Sequence, residues 1–420
     1  MAHVNWAGNH TYTARSVRVA ASVEDAQQTV RYARRVKALG SRHCFNDIAD
    51  TEDHQLSLER LAGVVELDAV NDRVTIEAGA RYGDIAPWLH ARGYALANLA
   101  SLPHISVAGA AATATHGSGS GIGNLATAVS AMDLITAGGD IVTLSRDKDG
   151  DTFNGAVVGL GALGVVARLT LDLQPTYDVR QDVFVDLPYE TLEREFDAIF
   201  DAATSVSVFM DWRGEAARMI WLKQRLDRAH DTPSAHFFGA PQANTRLNPV
   251  PDADPDACTQ QMGAPGPWFD RLPHFRMGFA PSAGAEIQAE YFVPRESAGR
   301  AVAIIRALGE SLSPTLIAAE VRTVAADDLW LSAGSRGPYA CFHFTFARDW
   351  PAVQALLPKI EAALDPLEPL PHWGKVFAMA PQTIATRLPR LCDFRELVQA
   401  FDPAGKFRNA YLDRVVFEGG

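Results

Sequence analysis

SLPHISVAGAAATATHGSGSGIGN, residues 101–124, is the stretch on which the fold assignment turns. A glycine-rich run opens a doubly wound nucleotide-binding sheet when its spacing is G-x-G-x-x-G, because the glycines let the backbone close on a pyrophosphate at the start of a helix. Counted from Gly117 the last glycine position holds Ile122, and counted from Gly119 it holds Asn124, so that fingerprint is absent. The hydrolase elbow G-x-S-x-G also fails, since His116 and Ser118 stand at its first position when Ser118 or Ser120 is tried as nucleophile. What remains is a run of small and hydroxyl-bearing residues whose backbone N–H groups can approach a diphosphate closely. Composition alone favours a flexible Gly and Ser loop.

Outward from this stretch the pattern is mixed. SVEDAQQTVRYARR (22–35) puts Ser22 and Asp25 in the capping-box relation and Val23, Ala26, Val30 and Ala33 on one face, which predicts a helix. It runs into a short strand, VKALG, and then into the loop of ALGSRHCFNDIA (38–49), where His43 read alone is a hydrogen-bonded loop histidine. A strand over 74–78, a helix ending at Gly93, a hairpin turned by Gly138 and Gly139, and a buried strand leaving at Pro175 follow. Beyond about residue 176, YETLEREFDAIFDAA reads as one amphipathic helix, and VSVFMDW, ARMIWLK, IQAEYFV, LIAAEVRT and YACFHFTF read as strands. Helices are expected over 296–311 and 352–364, and 225–285 is a Pro-, Gly- and Asp-rich excursion of surface loops, part of a lid.

Antiparallel spacing with helices on one face predicts an α+β fold. A chain of 420 residues exceeds one core, so two units are expected. These are residues 1–175, rejoined by a returning segment 377–420 that turns at Pro403 and Gly405, and residues 176–376.

A net charge of −12, with no run of five Lys or Arg, argues against nucleic acid or an anionic membrane as partner and favours a small neutral substrate. The first residues lack a basic and apolar leader, and no 18 consecutive residues are apolar, which predicts a cytoplasmic protein with a monomer as the default state. Cys44, Cys258, Cys341 and Cys392 are scattered without a CxxC pair, as reduced packing thiols would be, and no metal site is expected.

In AEVRT, Glu320 and Arg322 are two apart, and in CFHFTF so are His343 and Thr345, so each pair projects from one face of its strand. Val321, Phe342, Phe344 and Phe346 would fill the buried face. Solvent-facing alternation produces the same pattern. Joined by Lys375 of PHWGKVF, the pairs make a polar floor suited to a molecule covered in hydroxyl groups.

In the order NWAGNHTYTA, GSRHCFNDIA, NLASLPHISVAG, GALGVV, AEVRTVAAD, HFTF, PHWGKVF and DPAGKFRNA, the chain resembles the FAD-dependent oxidases of the vanillyl-alcohol-oxidase type, and within them the alditol oxidases. The resemblance implies a two-domain fold, an FAD-binding domain and a substrate-binding cap with an antiparallel sheet. It implies FAD held by one covalent bond from His43 to the 8α-methyl of the flavin, which retains the cofactor and raises its potential. By the same resemblance Leu39, Gly40, Ser41, Arg42 and Cys44 of the first loop cradle the cofactor together with Ser101, Ser106 and Gly109. Thr113, Ala114, Thr115 and His116 continue that cradle, Val166 lies on the adenine side and His372 at the flavin ring. Arg42 and Cys44 stand where relatives carry Gly and Ser, and Ala114 stands for a glycine.

For substrate, the resemblance implies Ser101, Glu320, Arg322, Thr345 and Lys375 as binding groups. Arg322, Lys375 and His343 are the catalytic candidates: Arg322 stabilises a developing alkoxide, Lys375 or His343 accepts the proton, and Glu320 orients Arg322. The implied reaction oxidises the terminal alcohol of linear polyols such as xylitol and sorbitol by hydride transfer to flavin N5, with O2 reduced to H2O2 and Ala100 at the oxygen-access position. A gulono- or galactonolactone oxidase or dehydrogenase is the neighbouring alternative, and a flavin- or sugar-binding protein without turnover is the alternative outside enzymes.

Overall fold

The computed structural model describes residues 3–228, 234–279 and 284–418. Ser22 accepts from the Asp25 backbone N–H and starts the helix Val23–Tyr32, which buries Val23, Ala26 and Val30. The helix crosses between two strands of a parallel three-stranded sheet, ordered Ser16–Val19, His54–Ser57, Val36–Leu39. The His43 loop leaves the end of the last of these.

Beside it lies an antiparallel five-stranded sheet ordered Val64–Asp68, Arg73–Glu77, Val165–Asp172, Val129–Ile135, Ile141–Ser145. Ile384, Leu391, Phe394, Val398, Tyr411 and Leu412, from the end of the chain, share its apolar core with Val74, Leu134 and Val157.

An antiparallel eight-stranded sheet takes up most of residues 178–371. Its centre runs Ala216–Arg225, Ser205–Met210, Leu316–Val324, Tyr339–Ala347, Glu286–Pro294. Val321, Phe342, Phe344 and Phe346 are fully buried on one face, against the helices Ala298–Ala307 and Trp350–Leu364. The opposite face of the same strands carries the polar residues described below.

Two elements differ from expectation. The amphipathic helix after Pro188 breaks at Glu195 (φ −105°, ψ 24°) into Tyr189–Arg194 and Phe196–Asp201, and both pieces reach the same buried cluster. The helix expected over 296–311 is interrupted at Leu308: Ala298–Ala307 is followed by a second, one-turn helix, Gly309–Leu312, where Gly309 lies too close to the Trp212 carbonyl for any side chain. Of the 225–285 excursion, residues 229–233 and 280–283 lie outside the described residues, and the rest holds only two-residue strands and short 3-10 turns.

Candidate functional site

A cavity of about 1030 Å3 runs between the small-residue loops and the polar face of the eight-stranded sheet. That is the upper end of the ~300–1,000 Å3 common for small-molecule sites, room for a dinucleotide and a small substrate together. Of the residues singled out in the sequence all but Ala114 line it. Ala114 is buried at φ +51°, a conformation glycine adopts without strain.

The first half is built from close backbone approach. A Cβ on Gly40 or on Gly109 would fall 2.7 Å from Ser106 Oγ, so a side chain at either position would push that hydroxyl out of its present place between the loops. Ser106 Oγ is buried and has no hydrogen-bond partner within the protein, and Thr113 and Thr115 hydroxyls lie 3.1 Å apart beside it. Small residues, bare backbone and an unpaired donor fit the diphosphate and ribityl chain of FAD.

His43 stands at one end of this half. Its ring stacks on Trp6 (centroids 5.0 Å, 26°), whose backbone N–H donates to Arg42 O. Burial, then His104, Lys375 and Arg42, push its pKa down to about 3, so the ring is neutral and keeps a lone pair. Burial pushes the neighbouring Cys44 thiol up to about 11, which makes it a poor nucleophile. The His43 loop is bound to the lysine loop: Phe45 N–H donates to Gly374 O, and the Asn46 amide donates to Trp373 O and Lys375 O, each at 2.8 Å.

The second half follows from strand register. Glu320 stands opposite His343, and Thr345 opposite Ala318. On the other side of Tyr339–Ala347, His343 faces Glu290 and Thr345 faces Gln288, so the face gains two polar residues that sequence reasoning missed. The signal was present, since IQAEYFV places Gln288 and Glu290 two apart as AEVRT does Glu320 and Arg322.

Glu290 is the electrostatic hub. Its Oε1 lies 2.7 Å from Arg322 Nη2 and 3.1 Å from His116 Nε2, and its Oε2 lies 3.4 Å from His343 Nδ1. Burial opposes its charge, but Arg322, His116 and His343 outweigh it and hold the carboxyl well below the usual range. Glu320 is 3.6 Å from Arg322 Nε, so Glu290 rather than Glu320 makes the closer contact that orients the guanidinium. Burial lowers Lys375 below an ordinary lysine, Arg322 adds to this and Glu290 resists it; its Nζ donates to Gln288 Oε1. His343 is likewise lowered by burial against the pull of Glu290, and its Nε2 lies 3.1 Å from Thr345 Oγ1.

The two halves are hydrogen-bonded to each other, Gly119 N–H to Thr323 O (2.8 Å) and Ala325 N–H to Ile122 O (3.0 Å). His116, Glu290 and His372 offer ligand atoms within 4.8 Å of one another, but a cation there would meet the Arg322 guanidinium already seated on Glu290. The excursion supplies Pro249, Val250, His274 and Phe275 to the wall.

Residues 14–145 match a family model described as an FAD binding domain, and residues 285–415 match one described as D-arabinono-1,4-lactone oxidase. The chain is 44% identical to an alditol oxidase of Streptomyces sp. over 97% of both chains. It is 28% identical to an L-gulono-1,4-lactone dehydrogenase of Mycobacterium tuberculosis, covering 93% of this chain and 92% of that one. Among solved structures it resembles cholesterol oxidase from Brevibacterium sterolicum, with a TM-score of 0.80 at 13% identity over 99% of this chain and 96% of that one, a likeness of fold.

Proposed function

The chain belongs to the alditol oxidase family of FAD-dependent oxidoreductases, and from that premise we propose that it oxidises the terminal CH2OH of a linear polyol of the xylitol and sorbitol class, yielding the aldose and H2O2. The observation that carries the reading is the shared face of two paired strands, from which Glu320, Arg322, His343 and Thr345 reach a cavity that His43 and Lys375 also line. FAD, when bound, supplies the acceptor that takes hydride from the alcohol carbon and passes the electrons to O2.

The chain's own groups do the rest. His43 is the covalent tether, supported by a ring held neutral at the cavity edge. Leu39 to Cys44, Ser106, Gly109 and Thr113 to His116 hold the diphosphate and ribityl chain, Val166 the adenine side and His372 the ring. Arg322 binds the reacting hydroxyl and stabilises the oxygen as its proton leaves, since a guanidinium is too weak an acid to act as the base. Lys375 Nζ takes that proton, favoured by its depressed pKa, with His343 Nε2 as the second candidate. Ser101, Glu320 and Thr345 hold further hydroxyls, and Ala100, buried beside Ser101, sits where oxygen would enter. Residues 1–175 with 377–420 form the FAD-binding unit and 176–376 the substrate unit, supported by the core that both ends of the chain share. Four unpaired cysteines favour a reducing, cytoplasmic setting.

The lactone-oxidase match over 285–415 keeps a lactone substrate as the second reading. A peroxide-coupled assay with xylitol, sorbitol and gulonolactone separates the two: higher kcat/KM on gulonolactone would overturn the polyol reading.

A further inference from the structure

Lys223 is fully buried in the Ala216–Arg225 strand. Its Nζ donates to the carbonyls of Leu272 and Pro273 (3.1 Å for the latter) and lies 3.0 Å from His274 Nδ1. Burial opposes the charge of Glu320, but Arg322 and His274 outweigh it and hold the group as a carboxylate, which can only accept, so the ring proton of His274 sits on Nε2, 2.7 Å from Glu320 Oε1. Nδ1 is therefore the unprotonated nitrogen; it accepts from Lys223, whose pKa burial pushes down to about 7 against the pull of Glu320 and which, charged or neutral, holds the ring in that form by donating to it. Phe209 (5.3 Å, 72°) and Trp221 (5.2 Å, 79°) hold the ring edge-on between them. Burial, reinforced by Lys223, takes the imidazole pKa down to about 4 against the pull of Glu320, so the ring is neutral. The backbone of the same residue donates to Ser101 O at 3.0 Å, and Phe275 N–H donates to that oxygen at 3.2 Å.

We propose that His274 is the positioning residue of the substrate site: its Nε2–H fixes Glu320, its backbone fixes Ser101, and Lys223 fixes its tautomer. The inference rests on the polyol reading above, in which Ser101 and Glu320 meet substrate hydroxyls. The contacts of Glu320 with His274 and with Arg322 both fall on Oε1, which turns Oε2 to a substrate hydroxyl. The excursion is thereby part of the site itself, since it sets two of the groups that measure the polyol beyond its reacting end.

The test uses two substitutions that divide the contacts. In His274→Asn the amide oxygen can still accept from Lys223, but the side chain is too short to reach Glu320; in His274→Gln the amide N–H reaches Glu320. With flavin content unchanged, H274N is expected to lose about tenfold or more in kcat/KM for xylitol, mostly through KM, and H274Q to stay within about threefold of wild type. In a Glu320→Gln background H274N should cost nothing further. Wild-type kcat/KM in H274N, or a loss that recurs in full on the E320Q background, overturns the proposal. Nitrogen-15 NMR of histidine-labelled wild type, with the His274 resonance identified by its disappearance in H274Q, reads the tautomer without any substrate. The Nε2–H form is expected, and an Nδ1–H form or an imidazolium overturns the proposal even if the variants fold poorly. Because that signal needs no turnover, a chain that oxidised no polyol would sink the functional reading and leave the tautomer result to decide this one.

Discussion

Replacing Glu290 by glutamine removes one negative charge from a point 2.7 Å from Arg322 and 3.1 Å from His116, with the carboxylate 2% exposed. Deleting one member of a buried pair costs ~3–5 kcal/mol because the other charge is left unpaired. Glutamine keeps the volume and one acceptor oxygen for the guanidinium, so the loss shrinks to that of a charge-assisted hydrogen bond, ~1.5–3 kcal/mol. If that interaction is fully expressed at the transition state, kcat/KM for the polyol falls about 10- to 150-fold. Stability carries a second signature. The Glu290 carboxyl is held below its usual pKa, so its contribution is complete above the unfolded carboxylate pKa of ~4.3 and is lost as pH falls through the folded value. Urea melts at pH 7 should therefore show E290Q weaker than wild type, and the gap should begin to narrow below about pH 4 and go on narrowing towards the folded value. Wild-type kcat/KM in E290Q, or a stability gap as wide at pH 3 as at pH 7, would refute the hub.

Three further outcomes are expected. His43→Ala should yield protein whose acid precipitate is colourless and whose intact mass lacks FAD, whereas retained colour would place the bond elsewhere. Arg42 is exposed at φ +64°, and a left-handed L-residue costs ~1–2 kcal/mol while glycine gives back ~0.5–1 through unfolded-state entropy, so Arg42→Gly should gain about 0.5–1 kcal/mol in urea melts; a loss would mean the arginine holds the loop. Because burial and then Arg322 depress Lys375, its neutral, proton-accepting form grows as pH rises through the lowered pKa. Wild-type kcat/KM should climb on that limb and Lys375→Met should flatten it, so a limb that survives in K375M would pass the base role to another group.

Much of this was legible because the signals are local. Ser22 and Asp25 announce a helix start within four residues, and the alternation in AEVRT and CFHFTF needs only the period of a strand to set Glu320, Arg322, His343 and Thr345 on one face against Val321, Phe342, Phe344 and Phe346. Strand order is not local. Nothing in IQAEYFV says that Glu286–Pro294 pairs beside Tyr339–Ala347, and without that pairing Glu290 looks like any alternating acid. Lys223 and His274 were hidden more deeply: one opens the polar Lys-Gln-Arg end of a strand, the other lies in a loop with no period, and they are joined only by tertiary contact. The break at Glu195 escaped because helical periodicity continues through it while the buried cluster draws both halves inward.

Oxidation at a fixed cofactor requires the reacting carbon and its acceptor to be held within about 3–3.5 Å, a tolerance that two independently mobile units would not keep. The chain meets it with backbone more than with side chains. The loop carrying His43 accepts no freedom relative to the loop carrying Lys375, since Phe45 N–H holds Gly374 O and the Asn46 amide holds the carbonyls on both sides of that glycine. On the opposite side Gly119 and Ile122 are bonded to residues at the end of the strand that carries Glu320 and Arg322. His43, Lys375 and Glu320 are thus placed by one continuous hydrogen-bonded frame. Because most of that frame is backbone, the side chains that face the cavity can be substituted without moving the loops and strand that carry them.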